Sequence, residues 1–316
     1  MTRRALLVLL LIAGGAARAD EGLRWGDVGL YGPASLLDGP WAGSFDFAIV
    51  QAHPNPEAIA KLDDSLRRAE ALGVTVILDI DFTRKGDESK QPAPKLLDTY
   101  LERFRVVLDG IDRGRVHAVT IGEENLPWKG GARVLATLYD RLKERYPETR
   151  FYQWYSPTSR RLNVPGQQWP ELPADGWVID HYLLQGEAYE RLVAGWTALG
   201  KPVVNLVWLS PDWQVGHRRD PDPEWWERAG WRQFHHQLAV SRAHDLPVGF
   251  FMYRLPDRAL GERRLRFYGE DGNSDATAFM TEVTGGLVPF LRGRPDVPLA
   301  VPETRPAWIP GWPVTD

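Results

Sequence analysis

The sequence contains no cysteine and only three methionines among its 316 residues. Without a thiol there is no disulfide framework, no cysteine nucleophile and no cysteine for lipid attachment, so an oxidising compartment is tolerated without being used. Of the seven histidines His53 and His181 stand alone, and the first strand does not end in the H-x-H of a metal-dependent hydrolase. No metal site is therefore expected. The chain also lacks a G-x-S-x-G elbow, which excludes the common serine-hydrolase arrangement. No G-x-G-x-x-G or phosphate-loop pattern follows a strand, so no nucleotide cofactor is expected either. A basic excess is missing too. With a formal net charge of -4 the chain has no electrostatic footprint for nucleic acid, and the pairs Arg218-Arg219 and Arg263-Arg264 read as solvated loop positions.

Long apolar runs are confined to the N-terminus. Arg3 and Arg4 precede an apolar stretch over residues 5–13, and Ala17-Arg18-Ala19 supplies a small-x-small site. This pattern predicts a secretory signal over residues 1–19, cleaved after Ala19, and a secreted or periplasmic location. The run is shorter than the roughly 20 residues a membrane-spanning helix needs, so the mature chain is expected to have no span; a monomer is expected.

What is present is a regular alternation. Strands are predicted over residues 24–31, 45–52, 74–81, 116–122, 150–156, 177–184, 202–208 and 248–254. Helical spacing occupies residues 55–72, 91–112, 132–146, 187–199 and 224–244, with a further helix over 275–284. In the first of these Ile59, Leu62, Leu66, Ala69 and Leu72 form one stripe, and Gly73 sits where a helix ends. Eight strands over about 230 residues match a (β/α)8 TIM barrel, whereas an open doubly wound sheet usually stops at five or six strands. The expected fold is therefore a single-domain barrel over residues 20–285 with a proline-rich tail over 286–316 packed on it.

Side chains alternate along a barrel strand between the helices and the axis. In the third strand Val74, Val76, Leu78 and Ile80 form the apolar face, so Asp79 and Asp81 should point inward. The fourth strand sends Val119 and Ile121 outward and Thr120 inward, and runs into Glu123, Glu124 and Asn125. In the sixth, Trp177 and Ile179 face out and Asp180 and Tyr182 face in. Asp27, Tyr31, Gln153, Tyr155, Asn205 and Arg254 complete the predicted inner set. So polar an interior implies a cleft, because a buried carboxylate costs several kcal/mol unless it is paired or reaches solvent. Asp79, the deepest, serves equally as a structural partner.

The segment Ile121 to Asn125 (IGEEN) resembles the I-G-N-E-P pattern that ends the fourth strand of clan A glycoside hydrolases, a superfamily of (β/α)8 enzymes. Asp180 to Tyr182 (DHY) resembles the sixth-strand segment, and Gly200 to Val204 (GKPVV) the lead into the seventh. The resemblance implies a glycosidase acting on a poly- or oligosaccharide, with Glu124 as acid/base and Glu123 in the position of the sugar-binding asparagine. It departs at the seventh strand, where Leu206, Val207 and Trp208 occupy the positions of the nucleophilic glutamate. For the second carboxylate Asp180 is placed ahead of Asp81. Another barrel clan pairs its fourth and sixth strands, while Asp81 would suit a substrate-assisted reaction. Glu123 crowds Glu124 and so favours its protonated form. The remaining inner set, with Asn125, Trp154 and Trp208, supplies candidate sugar contacts. Fourteen tryptophans suit core packing first and pyranose stacking second. A non-catalytic carbohydrate-binding barrel remains the alternative, because the seventh strand lacks its glutamate.

Overall fold

Eight parallel strands pair each with the next, and the last with the first, to close a barrel. They are β1 (Val28–Pro33), β2 (Phe47–Ala52), β3 (Thr75–Ile80), β4 (Ala118–Ile121), β5 (Phe151–Tyr155), β6 (Gly176–Asp180), β7 (Val203–Trp208) and β8 (Val248–Phe251). The computed structural model describes residues 22–80, 93–121, 131–155, 172–180, 186–209, 226–251, 255–256, 265–266 and 274–311. Around the barrel lie α1 (Pro56–Leu72), α2 (Leu97–Asp109), α3 (Gly131–Arg145), α4 (Gly186–Thr197), α5 (Trp231–Ala243), α6 (Ser274–Glu282) and α7 (Val288–Arg292). Two short 3-10 turns, Ala34–Asp38 and Ala42–Ser44, stand between β1 and β2. The expected single-domain (β/α)8 architecture is thus the observed one.

Local chemistry sets the element ends. Asn55 caps α1 by accepting the Ala58 N–H at 2.9 Å, Pro56 occupies the first turn, and Gly73 at φ 72° closes the helix in the left-handed conformation. Ile59, Leu62, Leu66 and Ala69 are buried as their spacing predicts, but Leu72 is 51% exposed because it lies in the last turn, beyond the barrel wall. The first strand starts later than expected. Asp27 N–H bonds Arg24 O at 2.9 Å and Arg24 N–H bonds the Asp27 carboxylate at 2.8 Å, so a turn occupies positions 24–27.

The barrel interior is packed by complementary large and small residues. Phe47, Ile49, Ile77, Ala118, Tyr152, Val178, Val204 and Leu206 fill it. Phe47 lies against Gly29, where an added Cβ would come within 2.2 Å of its ring, and Tyr152 lies against Gly176 at 2.6 Å. Gly29→Ala is accordingly expected to overpack the floor and cost about 1–3 kcal/mol. Denaturant titration checks this, and a compensating Phe47→Leu in the same chain should recover part of the loss. An unaltered midpoint for Gly29→Ala alone would contradict the packing argument.

At the far end of the chain, a π-helical turn (Val283–Leu287) joins α6 to α7, so residues 274–292 form one helical run across the sequence-based domain boundary at 285. Residues beyond it cross α5 and the turn before it. Trp226 Nε1 donates to Pro310 O at 3.1 Å, and Trp308 stacks on Phe290 with ring centroids 4.4 Å apart. Among the described residues no helix is long and apolar enough to cross a membrane.

His117, just ahead of β4, faces the Tyr152 hydroxyl at 3.2 Å. Burial, aided by the nearby Arg150 charge, pushes its imidazole down to about 4 from its ordinary 6.5. The unfolded chain therefore takes up this proton first. Its contribution to stability is complete above about pH 6.5 and is lost as pH falls toward 4, at about 1 kcal/mol per pH unit. Denaturant midpoints measured between pH 7 and 4.5 should fall more steeply for the wild type than for His117→Gln. Parallel profiles would contradict this.

Candidate active site

The C-terminal ends of the strands carry a connected polar layer inside the barrel. Asp79, the penultimate residue of β3, is only 3% exposed and accepts two hydrogen bonds, from the Tyr31 hydroxyl at 3.1 Å and from Thr120 Oγ1 at 2.9 Å. Tyr31 in turn accepts from Gln51 Nε2 at 2.6 Å. The strand register makes this possible: Gln51 pairs with Asp79, and Asp79 with Thr120, so three polar side chains from neighbouring strands share one level and one face.

Asp180 ends β6 across the barrel. It too is 3% exposed, and its Oδ2 accepts the indole N–H of Trp154 at 3.0 Å. Trp154 meets the Tyr31 ring edge-on, with centroids 5.1 Å apart, and this contact joins the Asp180 pair to the Asp79 network. Two carboxylates from different strands are thereby held in place by tyrosine, threonine and indole donors. Such donors stabilise charge and fix side-chain direction, which lets a carboxylate serve as a base or nucleophile. Among the described residues no cluster of three histidine, aspartate or glutamate side chains is arranged to hold a metal.

Of the residues expected at this site, Tyr31, Asp79 and Asp180 are brought together. Three are not. Asp27 closes the turn before β1 and lies 3.9 Å from Arg294, at the opposite end of the barrel from the mouth. Gln153 faces outward, and its Nε2 donates to Pro173 O at 3.0 Å. Its register partners, Ile121 and Trp177, are themselves on the helix-facing side. Asn205 also faces outward, donating from Nδ2 to Tyr189 of α4 at 2.6 Å and to Ser241 of α5 at 2.7 Å. Asp81, Glu123, Glu124, Asn125, Tyr182 and Arg254 lie outside the described residues, as do the side chains of Tyr155 and Trp208.

Gln51 belongs to the layer without having been expected there, and Trp154, expected as a sugar contact, joins it although the inner set omitted it. Taking polarity as the mark of an inward position assigned Gln153 and Tyr155 to the interior. Along β5 Gln153 instead faces the helices with Phe151, while Tyr152 and Trp154 fill the barrel. The available signal was register, since Phe151 pairs with Val119, which faces outward.

No protein-family model and no curated protein matches the sequence. Among solved structures, an FMN-binding beta-glucuronidase from Facaelibacterium prausnitzii aligns with 74% of this chain and 38% of its own, at 12% identity and a TM-score of 0.48. A GH18 chitinase from Pseudoalteromonas aurantia aligns over 72% of this chain and 94% of its own, at 11% identity and a TM-score of 0.48. GH5_18 from Streptomyces cattleya, solved with GlcNAc, aligns over 77% and 74%, at 15% identity and a TM-score of 0.48.

Proposed function

We propose that the chain is a secreted or periplasmic glycoside hydrolase that cleaves a poly- or oligosaccharide with carboxyl groups at the barrel mouth. The observation that carries the reading is Asp180: a buried carboxylate on the final residue of β6, oriented by an indole donor, at the rim where barrel enzymes do their chemistry. Support also comes from the IGEEN segment, which follows directly on β4 and resembles the acid/base motif of clan A.

In this reading Glu124 protonates the glycosidic oxygen as the bond to the leaving sugar breaks, and Glu123 beside it keeps that proton on. Asp180 supplies the second carboxylate. It attacks the anomeric carbon if the two groups stand roughly 5–5.5 Å apart, or activates a water if they stand roughly 6.5–9.5 Å apart. Asp81 is the substitute in that role for a substrate-assisted reaction. Asp79, with its two donors, is a positioning residue, holding Tyr31 and Thr120 in the floor of the cleft. Asn125, Tyr182, Trp208 and Arg254 are the proposed sugar contacts.

The second reading is a sugar-binding barrel without catalysis, favoured by Leu206 and Val207 at the end of β7, where clan A enzymes carry a glutamate. One experiment separates the two. Purified protein is incubated with neutral, acidic and amino-sugar polysaccharides, and both retention on each glycan and release of new reducing ends are measured. Release on at least one glycan supports the hydrolase, whereas retention with no release supports the binding barrel.

A further inference from the structure

The opposite end of the barrel holds a cavity of about 560 Å³ between the N-terminal ends of β3, β4 and β5. Thr75, Arg113, Arg115, His117, Thr149 and Arg150 contribute its polar wall, with Glu148 the one carboxylate among the lining residues. Its arginines are not equivalent. Arg115 is committed, with Glu70 and Asp112 each at 2.8 Å and Asp63 at 4.0 Å. Arg113 has no carboxylate partner among the described residues: it donates to Leu108 O at 3.1 Å and lays its guanidinium over the Tyr146 ring at 4.9 Å. Arg150 has no ion-pair partner among the described residues either.

Such an arrangement is poised for an anion. Two guanidiniums retain most of their N–H donors, and such donors match carboxylate or phosphate oxygens in a planar fork. Hydroxyls of Thr75 and Thr149 supply further polar contacts, while Leu23 and Val76 give apolar wall. The volume exceeds that of a bare inorganic ion and falls in the range of small-molecule pockets. We propose that this cavity is a binding site for a small organic oxyanion, a carboxylate- or phosphate-bearing sugar or acid, held by Arg113 and Arg150 at the end of the barrel remote from the mouth.

His117 reports on occupancy. Its imidazole is held neutral in part by Arg150. An anion seated on that guanidinium offsets the Arg150 charge and raises the His117 titration midpoint. The charged and titratable groups around it are Arg113, Arg115, Arg150, Glu148 and Tyr152.

Calorimetric titration at low salt with glucuronate, glucose 6-phosphate and neutral glucose tests the site, with the two anions distinguishing a carboxylate from a phosphate source. The expected result is one equivalent of at least one anion bound and glucose ignored. Arg150→Ala should weaken that affinity at least 10-fold, Glu148→Gln should tighten it, and the mouth variant Trp154→Phe should leave it unchanged. Saturation should also move the His117 proton resonance titration to higher pH. The proposal is overturned if neither anion binds, if glucose binds equally well, or if Arg150→Ala binds as the wild type does. Loss of binding in Trp154→Phe would overturn it too, by assigning the anion to the mouth.

Discussion

Glu124→Gln is expected to lower turnover of a responsive polysaccharide by roughly 10²–10⁴-fold while leaving glycan affinity nearly intact. Glutamine keeps the shape and the hydrogen-bonding oxygen of glutamate but has no proton to give. The loss should therefore depend on the leaving group. A natural sugar alkoxide must be protonated as it departs, whereas an activated aryl leaving group departs without help. Aryl glycosides should accordingly retain most of their rate in the variant, and comparing the two substrate types by kcat separates a missing acid from a damaged fold. Equal losses on both types would remove Glu124 from the acid role.

The second large effect belongs to Asp180 and the indole that holds it. Asp180→Asn removes the charge that attacks or activates water, and its kcat should fall by roughly 10²–10⁴-fold. Trp154→Phe leaves the charge in place but deletes the N–H that reaches Oδ2 at 3.0 Å. A carboxylate that has lost this donor and shifts from its place beside the reacting carbon loses up to about 10²-fold through misplacement alone. That loss should appear in kcat with KM little changed, and the unfolding midpoint should move by far less than a truncation to alanine would cause, because phenylalanine still fills most of the barrel interior beside Tyr31. Steady-state kinetics on both variants, with denaturant titrations alongside, checks this. Should Trp154→Phe match wild-type kcat, the indole is only packing.

These expectations rest on positions that were unevenly legible in the sequence. On β3 an unbroken apolar face, Val76, Leu78 and Ile80, forces the intervening Asp79 inward, and the same logic delivers Thr120 on β4 and Asp180 on β6. Strong alternation has a single solution when one face must meet helices. Alternation failed where both faces are apolar or aromatic. On β5 every position from Phe151 to Tyr155 except Gln153 is aromatic, so polarity sent Gln153 to the wrong face. On β7 the lone polar residue, Asn205, donates its amide N–H groups outward to Tyr189 and Ser241, partners 16 and 36 residues away along the chain and invisible to strand periodicity. Asp27 misled differently. A carboxylate near a strand start suits a turn as well as a cleft, and the backbone N–H of Arg24 claimed it. The large-to-small fit of Phe47 on Gly29 and Tyr152 on Gly176 was beyond reach for a related reason, since it depends on which residues of separate strands share a level.

The central claim is that carboxyl groups from β4 and β6 act on one glycosidic bond as a unit. A double-variant cycle on the rate of reducing-end release tests it directly. If Glu124 and Asp180 serve the same reaction step or its two halves, Glu124→Gln with Asp180→Asn together should lose little more than the worse single variant. Losses that multiply, so that two falls of about 10² become about 10⁴, would mean that the two groups act independently and would contradict the account.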